Sequence, residues 1–259
     1  FDFEDIGVTH RYIKTTQKQQ KESHMRTKAL VLVAAMGMFG AATAMAQVYS
    51  QNAVGYYTVN LSGGKFNMIA NQLNNGDNNI NTIMPGTTAL PDGTSLLTWT
   101  PGGTGFNPAD TFFAGLGWFD DNLELSATTL SPGQGAFVEM PPGGDASVVM
   151  VGDVPQGTLT LDLVPGFQIV SQLTPQEIGL DDAAFPAADG DSIQFWDPLK
   201  AGTTKGGYLD ALTYFGGFGW TDNDLNLVNP TPAIGEAFFY ERSPGGGDVT
   251  WTRDFSVNP

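Results

Sequence analysis

The chain has 259 residues with 33 glycines, 16 prolines and no cysteine, and its 27 acidic against 11 basic side chains give a formal charge of −16. The missing cysteine excludes disulfide frameworks and thiolate chemistry. The acidic balance makes phosphate backbones and anionic lipid surfaces poor partners, so neither nucleic acid nor a membrane surface is expected to bind.

Residues 1–24 carry neither apolar periodicity nor a start methionine, and read as untranslated upstream sequence. Lys21-Glu22 can be encoded AAG-GAG, a ribosome-binding sequence just ahead of Met25. Residues 25–46 have the three-part layout of a secretory signal: basic Arg26 and Lys28, an apolar run over 29–42, and small residues at Ala44 and Ala46. The run is too short and too rich in Gly and Ala for a membrane span, so cleavage after Ala46 is expected, with no insertion afterwards. The exported chain then begins at Gln47 and has five basic and 23 acidic side chains; both histidines, His10 and His24, lie upstream. Without imidazole or thiol, no Ser-His or Cys-His nucleophile pair, zinc site or covalent haem can be built.

From Gln47 onward the pattern is of strands. Tyr57, Val59 and Leu61 alternate with polar neighbours, as do Leu159, Leu161 and Leu163, the period of half-buried strands. Short apolar runs at 68–70, 96–99, 136–139 and 237–240 are bounded by Gly, Pro, Asn and Asp, which supply turn conformations. An internal repeat is also present. Residues 105–125 (GFNPADTFFAGLGWFDDNLEL) lie over 207–227 (GYLDALTYFGGFGWTDNDLNL) without a gap, with ten of 21 positions identical. The correspondence extends to 66–73 with 167–173, Asp92 through Trp99 with Asp189 through Trp196, and 148–154 (VVMVGDV) with 249–255 (VTWTRDF). The expected fold is therefore all-β: two tandem copies of an antiparallel β-sandwich or barrel module, at 47–155 and 156–259, closely packed because the joint at 154–157 is short.

The order Phe66-Asn67-Met68-Ile69-Ala70-Asn71-Gln72, then Trp99, then Gly117-Trp118, then Leu130-Ser131-Pro132-Gly133-Gln134-Gly135-Ala136-Phe137-Val138 resembles uncharacterised repeat proteins exported by Verrucomicrobia-type bacteria. More loosely it is similar to the GFNLIGNPYP…PGQGFFV module of Bacteroidetes surface proteins. The second copy departs from the pattern, with Pro232-Ala233-Ile234-Gly235-Glu236 in place of the Pro-Gly-Gln-Gly turn. The resemblance implies extracytoplasmic β-modules and brings no catalytic residues.

Candidate sites are few. A glycosidase needs two facing carboxylates, one of them in an apolar pocket, yet nearly every acidic residue here sits in a turn-like stretch. Glu139 and Glu236 border strands, but Glu139 aligns with Tyr240 and Glu236 has no counterpart in the first copy. Calcium is the one candidate cofactor, with Asp120, Asp121, Asp222 and Asp224 as ligands. Asp222-Asn223-Asp224-Leu225-Asn226 has suitable spacing, though the Gly and Glu of an EF-hand are missing, and Asp and Asn also favour turns by themselves. Trp99/Trp196 and Trp118/Trp220 recur in both copies and read as core anchors. Trp251, aligned with Met150, and Tyr208 and Tyr214 differ between copies, and are the candidate rings for stacking on a sugar. The expected function is non-enzymatic: an exported structural or adhesive protein of the periplasm, cell surface or medium. The alternatives are a carbohydrate-binding module and, behind it, a carbohydrate-active enzyme. Glycans or other cell-envelope proteins are the expected partners.

Overall fold

A computed structural model describes residues 53–257, so the expectations for 1–24 and for the signal at 25–46 lie outside the described residues. In the first half, seven strands run β1 (Val54–Leu61), β2 (Phe66–Asn71), β3 (Ser95–Leu97), β4 (Asp110–Phe113), β5 (Gly117–Phe119), β6 (Gln134–Glu139) and β7 (Ala146–Asp153). One helical turn, α1 (Ile80–Ile83), lies between β2 and β3 and is capped by the Asn79 side chain. The second half has β8 (Gly157–Leu163), β9 (Gly166–Ser171), β10 (Ser192–Gln194), β11 (Trp196–Asp197), β12 (Gly207–Tyr208), β13 (Leu212–Phe215), β14 (Gly219–Thr221), β15 (Ala237–Arg242) and β16 (Val249–Phe255).

Every pairing is antiparallel, and the same order occurs twice. In the first half β2-β6-β3-β4-β5 form a sheet and β1 pairs with β7; in the second, β9-β15-β10-β13-β14 form a sheet and β8 pairs with β16. Contact between β6 and β9 joins the two five-stranded sheets into one of ten strands. The sheets are open and sandwich-like, which removes the closed-barrel alternative.

Alternation explains the layering. Along β1, Tyr57, Val59 and Leu61 turn inward while Tyr56, Thr58 and Asn60 face out. With Val148 and Met150 of β7 they cover Ile69, Leu96, Phe112, Ala136, Val138 and Trp118 of the first sheet. Leu163, Trp251, Val170, Ile193, Phe238 and Trp220 make the matching core in the second half. A third cluster, on the opposite face of the same strands, unites Ala70 and Phe137 with Ile169, Ala237 and Phe239.

Pairing registers correct two sequence alignments. Glu139 lies opposite Ser95 and Glu241 opposite Ser192, so the counterpart of Glu139 is Glu241, not Tyr240. Trp251 lies opposite Leu161, as Val148 lies opposite Val59; its counterpart is Val148, not Met150. The first offset arises before β15; the turn before β16, longer by one residue and holding a 3-10 turn at Pro244–Gly246, adds the second.

The same reasoning restores the turn that differs in sequence. Gln134 Oε1 accepts the Ser131 N–H at 2.8 Å, and Glu236 Oε2 accepts the Ala233 N–H at 2.8 Å. Glu236 therefore takes the place of Gln134. Gly133 and Gly235, just before them, have φ of +92° and +80°. A Cβ on Gly133 would lie 2.7 Å from Leu173 and one on Gly235 3.0 Å from Tyr57, in each case a residue of the other half, so both backbone conformation and close approach require glycine.

Candidate functional site: an aromatic cleft where the halves meet

The halves exchange equivalent bonds. Ala70 N–H donates to Gly235 O at 3.0 Å, and Ser171 N–H donates to Gly133 O at 2.8 Å. Ring packing is exchanged as well. Trp99 of the first half meets Phe239 and Phe167 of the second at 5.0 and 6.4 Å between centroids; Trp196 of the second half meets Phe137 and Phe66 of the first at 4.9 and 6.4 Å. Phe106 packs edge-on to Trp99 and Tyr208 edge-on to Trp196, both at 4.9 Å. These are mostly edge-to-face contacts, in which a ring's positive edge meets a neighbour's negative face.

The exchange is not perfect. Trp196 Nε1 donates to Phe66 O at 2.7 Å, but Trp99 Nε1 is buried without a partner. The matching acceptor, Phe167 O, instead takes the Gly102 N–H at 2.9 Å.

Phe106 keeps 43% of its surface exposed and Phe167 36%, so the cluster reaches solvent. At one end it opens into a cleft of about 270 Å³ lined by Phe66, Leu97, Phe106, Phe137, Trp196 and Tyr208. A second groove of about 250 Å³ borders Trp99 and is mixed in character, with Asn107, Gln134 and Asp162 among its walls. Burial pushes the Tyr208 phenol above its usual range, so it stays protonated and polar at one end only.

The structure does not gather the sugar-stacking candidates on one exposed face. Trp251 is fully buried in the second core, where its Nε1 donates to Ala183 O at 2.9 Å. It faces inward because alternation puts it on the same face of β16 as Val249, the face that packs into the second core. Tyr214 packs partly buried against Trp220 in that same core, and Tyr208 alone of the three lines the cleft. Trp118 and Trp220 are core anchors, 0% and 1% exposed, while Trp99 and Trp196 are half-buried members of the joint.

The acidic loops act as turns. Asp120 Oδ1 accepts the N–H groups of Asn122 and Glu124, each at 2.9 Å, and Asp222 Oδ1 accepts those of Asp224 and Asn226, also at 2.9 Å. Both carboxyls are held below the usual range, Asp120 chiefly by the Glu124 N–H and Asp222 by the Asn226 side chain. Asp121 lies exposed beside Asn122, its Oδ1 accepting from that amide at 3.1 Å. Among the described residues no group of three or more His, Cys, Asp or Glu side chains is placed to hold a metal ion. Glu139 is committed to an ion pair with Lys205 at 2.8 Å.

No helix among the described residues is long and apolar enough to cross a membrane. No family model, curated protein or solved structure matches the chain, so the site is read from its own geometry.

Sequence reasoning missed the cleft. The signal was available in the paired aromatics Trp99/Trp196 and Phe106/Tyr208, and in Phe66 and Phe137, which sit on strands apolar on both faces. Strands of that kind have two packed sides, and the second must be covered by something.

Proposed function

We propose that the chain is a non-enzymatic, exported protein built from two copies of one β-module, acting by contact as a structural or adhesive component of the cell envelope or extracellular space. The observation that carries this reading is the aromatic surface at the joint, where rings from both halves pack mostly edge to face while Phe106 and Phe167 stay accessible. Exposed aromatic rings on a rigid scaffold mark interaction surfaces in otherwise polar exteriors. The signal-like segment at 25–46 and the strong negative charge agree with work outside the cytoplasm. A carbohydrate-binding role is the second reading, favoured by the groove at Trp99, whose ring stands beside Asn107, Gln134 and Asp162.

The test is fractionation with an antibody, followed by an attachment assay with protein-coated beads on cells of the producing organism. The protein is expected at the surface or in the medium, and Phe106→Asp/Phe167→Asp should lose most attachment while the protein stays folded at the assay temperature, as circular dichroism would show. Recovery from the cytoplasm, or attachment unaffected by the double substitution, would overturn the reading.

A further inference from the structure

Between residues 53 and 257 the chain has only three lysines, and all three are tied to the segments that carry the cleft's rings, with Lys205 beside the Phe66 ring itself. Lys65 directly precedes Phe66, and its Nζ donates to Thr204 O at 2.9 Å. Lys200 Nζ donates to the carbonyl of Tyr208. Lys205 Nζ lies 5.8 Å from the centre of the Phe66 ring and pairs with Glu139. Two of these partners are neutral carbonyls, which leave the cations' charge uncompensated; only Lys205 is balanced. Acids near these lysines include Glu139, Asp197, whose Oδ1 accepts the Leu199 N–H at 2.8 Å, and Asp145, whose Oδ1 accepts the Gly63 N–H at 2.9 Å. On a strongly acidic protein, a cluster of cations around a low-dielectric cleft is a place where an anion is attracted.

We propose that this cleft binds an amphiphilic anion: one six-membered ring, aromatic or sugar, that bears a carboxylate or sulfate. The ring enters between Phe106, Phe66, Trp196 and Tyr208, whose lining is almost wholly apolar, and a volume of about 270 Å³ suits one ring with its substituents. The anion meets Lys205 beside the Phe66 wall, where it competes with Glu139. This rests on the reading of the joint as an interaction surface and adds the class of ligand to it.

Titration of the intrinsic tryptophan fluorescence of the purified protein tests the proposal, because Trp196 forms one wall. The probes are benzoate and galacturonic acid, each against its neutral congener, benzyl alcohol and galactose. At least one anion should bind about tenfold more tightly than its neutral congener, consistent with a hydrogen bond to a charged donor. Which anion does so distinguishes an aromatic from a saccharide ligand. Lys205→Met should weaken that binding about tenfold, Phe106→Ala should weaken it as well, and Glu139→Gln should tighten it severalfold by freeing Lys205. A lysine that merely pinned the loop would not give the last result. Equal binding of neutral and charged probes, no binding of either anion, or an unchanged affinity in both Lys205→Met and Glu139→Gln would overturn the proposal. If the anions fail while Phe106→Asp/Phe167→Asp still abolishes attachment, the contact function stands and only the ligand class falls.

Discussion

In the first half, Thr94, Val138 and Met140 close one end of the core; at the matching places in the second half stand Asp191, Tyr240 and Arg242. The first set is apolar but for a threonine hydroxyl that donates to Pro91 O at 2.8 Å. The second is a buried ion pair, Arg242 to Asp191 at 3.2 Å, with side chains 3% and 0% exposed. Arg242 also donates to the carbonyls of Pro186, Gly246 and Gly247, while Asp191 accepts the N–H groups of Ala188 and Ser243 and the Tyr240 hydroxyl. Burial raises the Tyr240 phenol well above its usual range, so it remains a donor. One sheet order thus accepts either an oily or a charged closure. The charged one does something the other does not: it ties two loops, 186–191 and 243–247, to the end of the sheet.

The largest break in this comparison should come from Arg242→Met, which leaves Asp191 buried and unpaired. Stability measured by chemical denaturation is expected to fall by about 3–5 kcal/mol. Importing the chemistry of the first half, as Asp191→Thr/Tyr240→Phe/Arg242→Met, should recover most of that loss, since replacing a whole buried pair is often close to neutral. A triple variant as unstable as the single one would show that the loops need the guanidinium itself.

A smaller difference separates Gln134 from Glu236, two side chains that cap the same turn. Burial raises the Glu236 carboxyl above its usual range. The folded state then holds its proton more tightly than the unfolded state, so stability drops as pH rises from the ordinary carboxylate range through the raised value, and the penalty is full above it. Glu236→Gln should remove that dependence and stabilise the protein at neutral pH by less than about 1 kcal/mol, because the site is partly open to screening solvent. A pH series of melting temperatures checks this; an unchanged slope would mean that Glu236 is ionised at no cost.

The smallest effect is expected at the loops of Asp120 and Asp222. Their carboxyls are depressed, so the turns gain from ionisation above the ordinary carboxylate pKa and lose it as pH falls through the lowered folded value. Asp222→Ala should be the more damaging of the two, since it also releases the Asn226 side chain. Millimolar calcium should leave the melting temperature of the protein unmoved, whereas a rise reversed by chelator would show that the ion binds these loops.

The contrast also marks what the residues disclosed in advance. Alternation at Tyr57, Val59 and Leu61, and the paired Gly117-Trp118 and Gly219-Trp220, announced the strands and the two core tryptophans correctly. They could do so because period two and tight glycine turns are local. Arg242 gave no such notice, as it reads like a solvated residue after a strand and is buried only because Asp191, 51 residues away, waits inside. Trp251 failed for a different reason: it was singled out because it has no tryptophan partner in the first half, yet it lies on the inward face of β16 and is fully buried, as Val148 is in β7. The cleft was hidden because Phe66 and Trp196 are 130 residues apart, and only the joining of the two sheets brings them together.

The exchanged bonds of Ala70 and Ser171, and the exchanged tryptophans, make the joint an isologous contact of the kind two separate copies would form as a dimer. Here the short segment around residues 154–157 holds the partners together on one chain. Association is then intramolecular, at an effective concentration that does not change when the protein is diluted. Two separate halves in open water would drift away from one another, and with their contact would go the aromatic cleft whose walls come from both. Tethering removes that dependence, so the cleft persists however few molecules share the surrounding volume.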